Sequence, residues 1–254
     1  MIPVKECIKR DLNKVAAIME KDFNLRAGHL NDFMEFHIES AKELYYPLLL
    51  LGSFRLLSKA KKPPYHMVAV IQFINMATNI HKYKGDFPQY PVLVGDYLYT
   101  KFFSYLCQYK SLKWLQPLSQ VICNIHEGGI ERKENQDKGK SIGIETLKKE
   151  VANLSAISCE IGATYAQDSH LVISSMKEVG FNLGLAWAIT EEYSGTNSIK
   201  RLPSSDVNIY LEKAKNKLFT LSKYVANREI LAVFEEIIFE INKNNSKTAS
   251  SQVV

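Results

Sequence analysis

The residues in this chain that could do chemistry are a few carboxylates at the ends of apolar stretches. Residues 70–86, VIQFINMATNIHKYKGD, run largely apolar as far as His81 and then finish in charge, with Lys82 and Asp86. Residues 180–195, GFNLGLAWAITEEYSG, finish in Glu191 and Glu192. Carboxylates at positions i, i+1 and i+4 of a helix put hard oxygen ligands on one face, which a magnesium ion bridging phosphate groups requires. The first stretch offers only Asp86 for that purpose, with Lys82 nearby. At about 4 Å and an effective dielectric of ~20, two unit charges interact by roughly 4 kcal/mol, and a divalent ion facing a lysine roughly doubles the repulsion. Metal binding at this helix end is therefore disfavoured, and the paired glutamates of the second stretch would hold a cation only weakly.

Other familiar chemistries find no support. Gly139-Lys140-Ser141 ends like a phosphate-binding loop, but such a loop needs a glycine five residues before Gly139 and position 134 is Glu. His126-Glu127 has no second histidine four residues on, so the zinc-peptidase signature is missing. Cys7, Cys107, Cys123 and Cys159 are widely separated, without a CxxC, and read as buried thiols. The net charge of +5 is modest and its lysines are scattered, so a nucleic-acid partner is not expected. No secretory leader is read in the opening residues, and the apolar run at 45–51 is too short to span a bilayer. The expectation is a cytoplasmic protein with no integral membrane segment.

These side chains need a scaffold, and the period of the sequence predicts helices throughout. The fold class read here is all-α, with enough apolar content, 46%, for a sizeable core. Helices are expected over 3–24, 29–59, 65–83, 92–110, 112–127, 142–166, 169–194, 206–226 and 228–242. The last shows Ile230, Phe234, Ile237 and Ile241 at helical spacing. Pro63-Pro64 is expected to stop the second helix. The run 131–140, ERKENQDKGK, is too polar to pack and reads as a solvated loop. Residues 1–243 are read as a single domain and 244–254 as a disordered tail.

The stretches at 70–86 and 180–195 resemble the two aspartate-rich helices of the trans-polyprenyl diphosphate synthases. In the first, Ile74, Ala77, Ile80 and His81 match, while Lys82 and Tyr83 replace the aspartate pair and Asp86 alone stays acidic. In the second, Asn182, Leu183, Gly184, Ala186 and Ile189 match; Glu191-Glu192 stands for the aspartate pair and Gly195 for the last acid. Residues 41–51, AKELYYPLLLL, are similar to the segment that holds isopentenyl diphosphate, but Glu43, Leu44 and Tyr46 occupy the cationic positions. Residues 92–101, VLVGDYLYTK, retain Gly95, Asp96 and Leu98 of a core-helix motif. A further phosphate-contacting motif has its lysine and threonine replaced by Glu150 and Val151.

The resemblance implies an isoprenoid-synthase-like helical bundle around a central cavity, with Gly95, Gly180 and Gly184 kept for close helix packing. Diphosphate ionisation needs positive charge around the leaving group as it develops negative charge, and the residues that supply it are replaced at one site after another. The expected role is therefore a non-catalytic subunit of a heteromeric long-chain polyprenyl diphosphate synthase, stabilising the assembly and shaping product length. No cofactor is expected on this chain alone; magnesium would sit in the catalytic partner, which would also take the prenyl diphosphates. The alternatives are an active prenyltransferase or terpene synthase using Asp86, Glu191 and Glu192, a prenyl-lipid binding scaffold, or an unrelated helical protein. On the helix after Gly95, the rings from Tyr97 to Trp114 are too many to point inward, so Tyr99 and Phe103 are candidates for a partner interface, with a tunnel lining as the other reading.

Overall fold

The computed structural model describes residues 6–22, 41–59, 61–82, 89–194 and 204–250. Every regular element among them is helical. Besides three short 3-10 turns, these are in chain order α1 (Glu6–Asp22), α2 (Ala41–Leu57), α3 (Tyr65–His81), α4 (Gln89–Gln108), α5 (Leu115–Asp137), α6 (Ile144–Leu147), a π-helical turn (Lys148–Ala152), α7 (Asn153–Ala166), α8 (His170–Ser194), α9 (Ser204–Thr220) and α10 (Leu231–Ser250).

Two helices form the centre because they are apolar on nearly every side. Leu48 to Leu51 of α2 are all buried, as is each residue of α3 from Met67 to Thr78. Such helices have no solvent face and must be surrounded. On one side α3 packs along α4, where Phe73 meets Tyr105 edge to face with centroids 5.0 Å apart. On another, α1 is held by Asp11, whose carboxylate accepts two hydrogen bonds from Arg55, at 2.8 and 2.9 Å, and one from Tyr65 at 2.7 Å.

The second tight layer is α7 against α8, and glycine sets its spacing. A Cβ at Gly184 would come within 2.3 Å of Ser155 Oγ, and one at Gly180 within 2.4 Å of Ser155 O. Gly95 admits a side chain instead of a helix: a Cβ there would lie 2.0 Å from His81 Nε2. The close helix packing expected of these glycines is seen at Gly180 and Gly184, whereas Gly95 makes room for the His81 ring.

Several boundaries differ from the sequence expectation. The polar run 131–140 is not a loop: α5 continues through it to Asp137, with Lys133–Asp137 and Glu134–Lys138 paired one turn apart on its surface. The last helix runs past 243 to Ser250, with Asn245 buried, because Ile237, Ile241 and Asn245 keep one face on the bundle. The 142–166 helix is interrupted by the π-helical turn, and the helix expected to reach 226 stops at Thr220. Pro63-Pro64 does separate α2 from α3. The ends of the helix expected over 3–24 and the start of the 29–59 helix lie outside the described residues. Among the described residues, no helix is long and apolar enough to cross a membrane.

Candidate functional site

The carboxyl ends of α3 and α8 come to one end of the bundle, beside α5, and a cleft of about 580 Å³ opens there. Lys82 reaches it from α3, Glu191 and Glu192 from α8, and Glu150 and Val151 from the π-helical turn. Five residues read from separate motifs are thus brought to one place. Tyr83, Asp86 and Gly195 lie outside the described residues, as does the side chain of Glu43. Leu44 and Tyr46 are core residues of α2. Burial, and then the nearby Glu150 charge, push the Tyr46 phenol well above its ordinary pKa.

The group that organises the cleft is Arg132, from the run read as a loop. Its Nε and Nη2 straddle the Glu150 carboxylate at 2.7 to 3.1 Å, and Nη1 donates to Glu192 Oε2 at 2.7 Å. The Glu150 side chain is 3% exposed, that of Arg132 26% and that of Glu192 24%. Burial of the guanidinium works against its charge, but the hydrogen bonds to Glu150 and Glu192 outweigh this and raise its pKa further. A two-pronged pair with a third charge-assisted bond is the strong form of such contacts.

The π-helical turn carries two of the charged groups that face α5. Here neighbouring residues both reach α5: Glu150 meets Arg132, while Lys149 pairs with Glu131 and lies 3.7 Å from Glu127. Gly128 leaves the room, since a Cβ there would come within 2.8 Å of Glu150 Cγ.

An adjoining cleft of about 380 Å³ shares His81, Lys82, Gly129 and Lys133 with the first. At its wall, Tyr99 Oη stands 2.8 Å from His126 Nε2 and 3.4 Å from Thr78 Oγ1. Burial, then the charges of His81 and Lys82, lower the His126 pKa. Tyr99 is accordingly half-buried and hydrogen-bonded to its neighbours. Phe103 is 48% exposed and Leu93 63%. Phe102, Tyr105 and Trp114 of the same aromatic set are buried.

These residues do not fit a magnesium site. A guanidinium already spans Glu150 and Glu192, Lys82 lines the same cleft, and no group of three His, Cys, Asp or Glu side chains among the described residues is placed to hold a metal. Glu150 adds a negative charge to the same cleft, paired with Arg132. The signal that finds Arg132 in sequence is the pair of oppositely charged i, i+4 contacts that follow it, which extend a helix through the polar run.

Comparison with known proteins agrees with this architecture. Residues 86–198 match the polyprenyl synthetase family. A prenyl transferase of Cyanophora paradoxa is 30% identical over 123 residues, which is 46% of this chain and 38% of that protein. Component 2 of heptaprenyl diphosphate synthase from Geobacillus stearothermophilus is 20% identical over 250 residues, covering 89% of this chain and 77% of that one. The crystal structure of a geranyltranstransferase from Methanosarcina mazei superposes with a TM-score of 0.75 at 18% identity, over 98% of this chain and 100% of that chain. The fold is therefore that of the isoprenyl diphosphate synthases.

Proposed function

We propose that this chain, whose residues 86–198 match the polyprenyl synthetase family, is the non-catalytic subunit of a heteromeric long-chain polyprenyl diphosphate synthase in isoprenoid biosynthesis. The observation that carries the reading is the Arg132 bridge between Glu150 and Glu192. Ionising an allylic diphosphate requires positive charge where the leaving oxygens develop negative charge. In this cleft the acidic positions are neutralised from within, and Glu150 faces inward where a lysine would be needed. The chain therefore contributes a folded, self-compensated partner, and magnesium and both diphosphates are handled by the other subunit in the cytoplasm.

Support for a heteromer comes from the relative named as a component of a heptaprenyl diphosphate synthase and from the exposed face of α4. Leu93 and Phe103 there are apolar and open, and aromatic residues are the usual anchors of buried interfaces. Co-expression with a synthase that retains both aspartate-rich motifs tests the reading. A stable complex of the two chains, more active in prenyl transfer than the synthase alone, is expected. Two chains that purify separately, with the synthase equally active alone, would contradict it.

A further inference from the structure

The outer side of α9 combines an open aromatic ring with a surplus of lysine. Val207, Leu211, Ala214 and Leu218 bury its inner side. On the opposite side Ile209, Lys213, Asn216, Phe219 and, in the turn after the helix, Lys223 recur every three or four residues, all of them exposed. Phe219 is 79% exposed, the most open of the large apolar side chains described, and Ile209 is 50% exposed. Around them, residues 209–228 carry Lys213, Lys215, Lys217, Lys223 and Arg228 against a single acid, Glu212. Glu212 pairs with Lys215, and Glu178 of α8 pairs with Lys217. Lys213 and Lys223 instead lie over the rings of Tyr210 and Tyr224, each 5.1 Å from the centroid.

A ring left in water beside positive charge fits one kind of partner. Lysine is depleted from protein–protein interfaces, where its strongly hydrated ammonium would have to shed water. At an anionic bilayer the same groups stay hydrated among the headgroups and each adds attraction, while an aromatic ring enters the apolar boundary beneath. Lysine and tyrosine suit that boundary, having apolar stems or rings and polar tips. We infer that this face of α9 docks the chain on an anionic lipid surface, with Phe219 entering the headgroup layer and Lys213 and Lys223 meeting lipid phosphates beside it. The docking is peripheral and is independent of the subunit role proposed above. Phe239 on α10 is 64% exposed but stands in sequence among Glu235, Glu236 and Glu240, so it makes an internal control.

The experiment sediments the full chain with vesicles of equal parts phosphatidylcholine and phosphatidylglycerol, and with vesicles of phosphatidylcholine alone. Binding is expected to the first and not to the second, and is expected to weaken as salt is raised. Phe219→Ala should weaken it about tenfold, and Lys213→Gln and Lys223→Gln about fivefold each. Phe239→Ala should leave it unchanged, and circular dichroism should show natural helicity in every variant. Failure to bind the anionic vesicles at low salt overturns the inference, as does equal binding to both kinds of vesicle or equal binding by folded Phe219→Ala. If Phe219→Ala does not fold, the chain carrying both lysine changes decides: lost binding supports the inference and unchanged binding overturns it. Binding to duplex DNA through these lysines, with the vesicles left unbound, would assign the face to nucleic acid and overturn it as well.

Discussion

The hydroxyl of Tyr99 and the Nε2 of His126 stand 2.8 Å apart across the wall of the smaller cleft. His126 is held below the ordinary histidine value of 6.5 by burial, then by the charges of His81 and Lys82. His66, stacked on Tyr109 in another part of the bundle, is lowered by burial. Both rings bind protons less readily in the folded chain than in the unfolded one. Stability is therefore unaffected by them above about pH 6.5 and falls as the pH drops from there through the lower folded values. Thermal unfolding followed between pH 8 and 5 should show this decline, and replacing both residues by glutamine should flatten it.

Asp11 ties α1 to the rest of the bundle. Its carboxylate is 2% exposed and accepts from Arg55 and Tyr65. Burial, then Asp11 itself, pushes the Tyr65 hydroxyl up to about 12. Asp11→Ala removes the acceptor that Arg55 and Tyr65 share and should destabilise the chain by about 1–3 kcal/mol. Urea unfolding measures it, and a loss below that of an ordinary surface change would refute the assigned role.

Gly184 sets the distance between α7 and α8, and its Cβ position is already filled by Ser155 Oγ at 2.3 Å and Ala152 Cα at 3.0 Å. Gly184→Val should cost about 1–3 kcal/mol through displacement of the helices. Gly129→Val is the control, because a Cβ there meets nothing within 4 Å. Equal losses for the two would show that helix propensity, not packing, was measured.

Sequence period revealed the helical class because α2, α3 and α8 are apolar almost all round, a pattern only buried helices tolerate. The convergence of Lys82, Glu150, Val151, Glu191 and Glu192 could be anticipated only through the family resemblance, since spacing within one helix says nothing about a neighbour. Arg132 was hidden by its company: Glu131, Lys133 and Glu134 are surface residues, and composition averaged over the run masks one inward guanidinium. The orientation of Tyr99 is illegible in sequence for a related reason. Ring count on a helix shows that some rings must be exposed, but which ones depends on what packs beside them, and His126 on α5 is what engages Tyr99.

Phe103 is the ring of α4 that the proposed partner would cover. Phe103→Glu should leave stability within about 0.5 kcal/mol of the natural chain, as exposed substitutions usually do. The same change should release the catalytic subunit in co-purification. A complex that survives intact would move the interface elsewhere.

The central claim is that this chain does not transfer prenyl groups alone. Radiolabelled isopentenyl diphosphate, an allylic diphosphate and magnesium, incubated with the pure chain, should give no extractable product above the protein-free blank, and should give product once a synthase with both aspartate-rich motifs is added. Product formed by the chain alone, and abolished by Asp86→Asn or Glu191→Gln, would contradict the account.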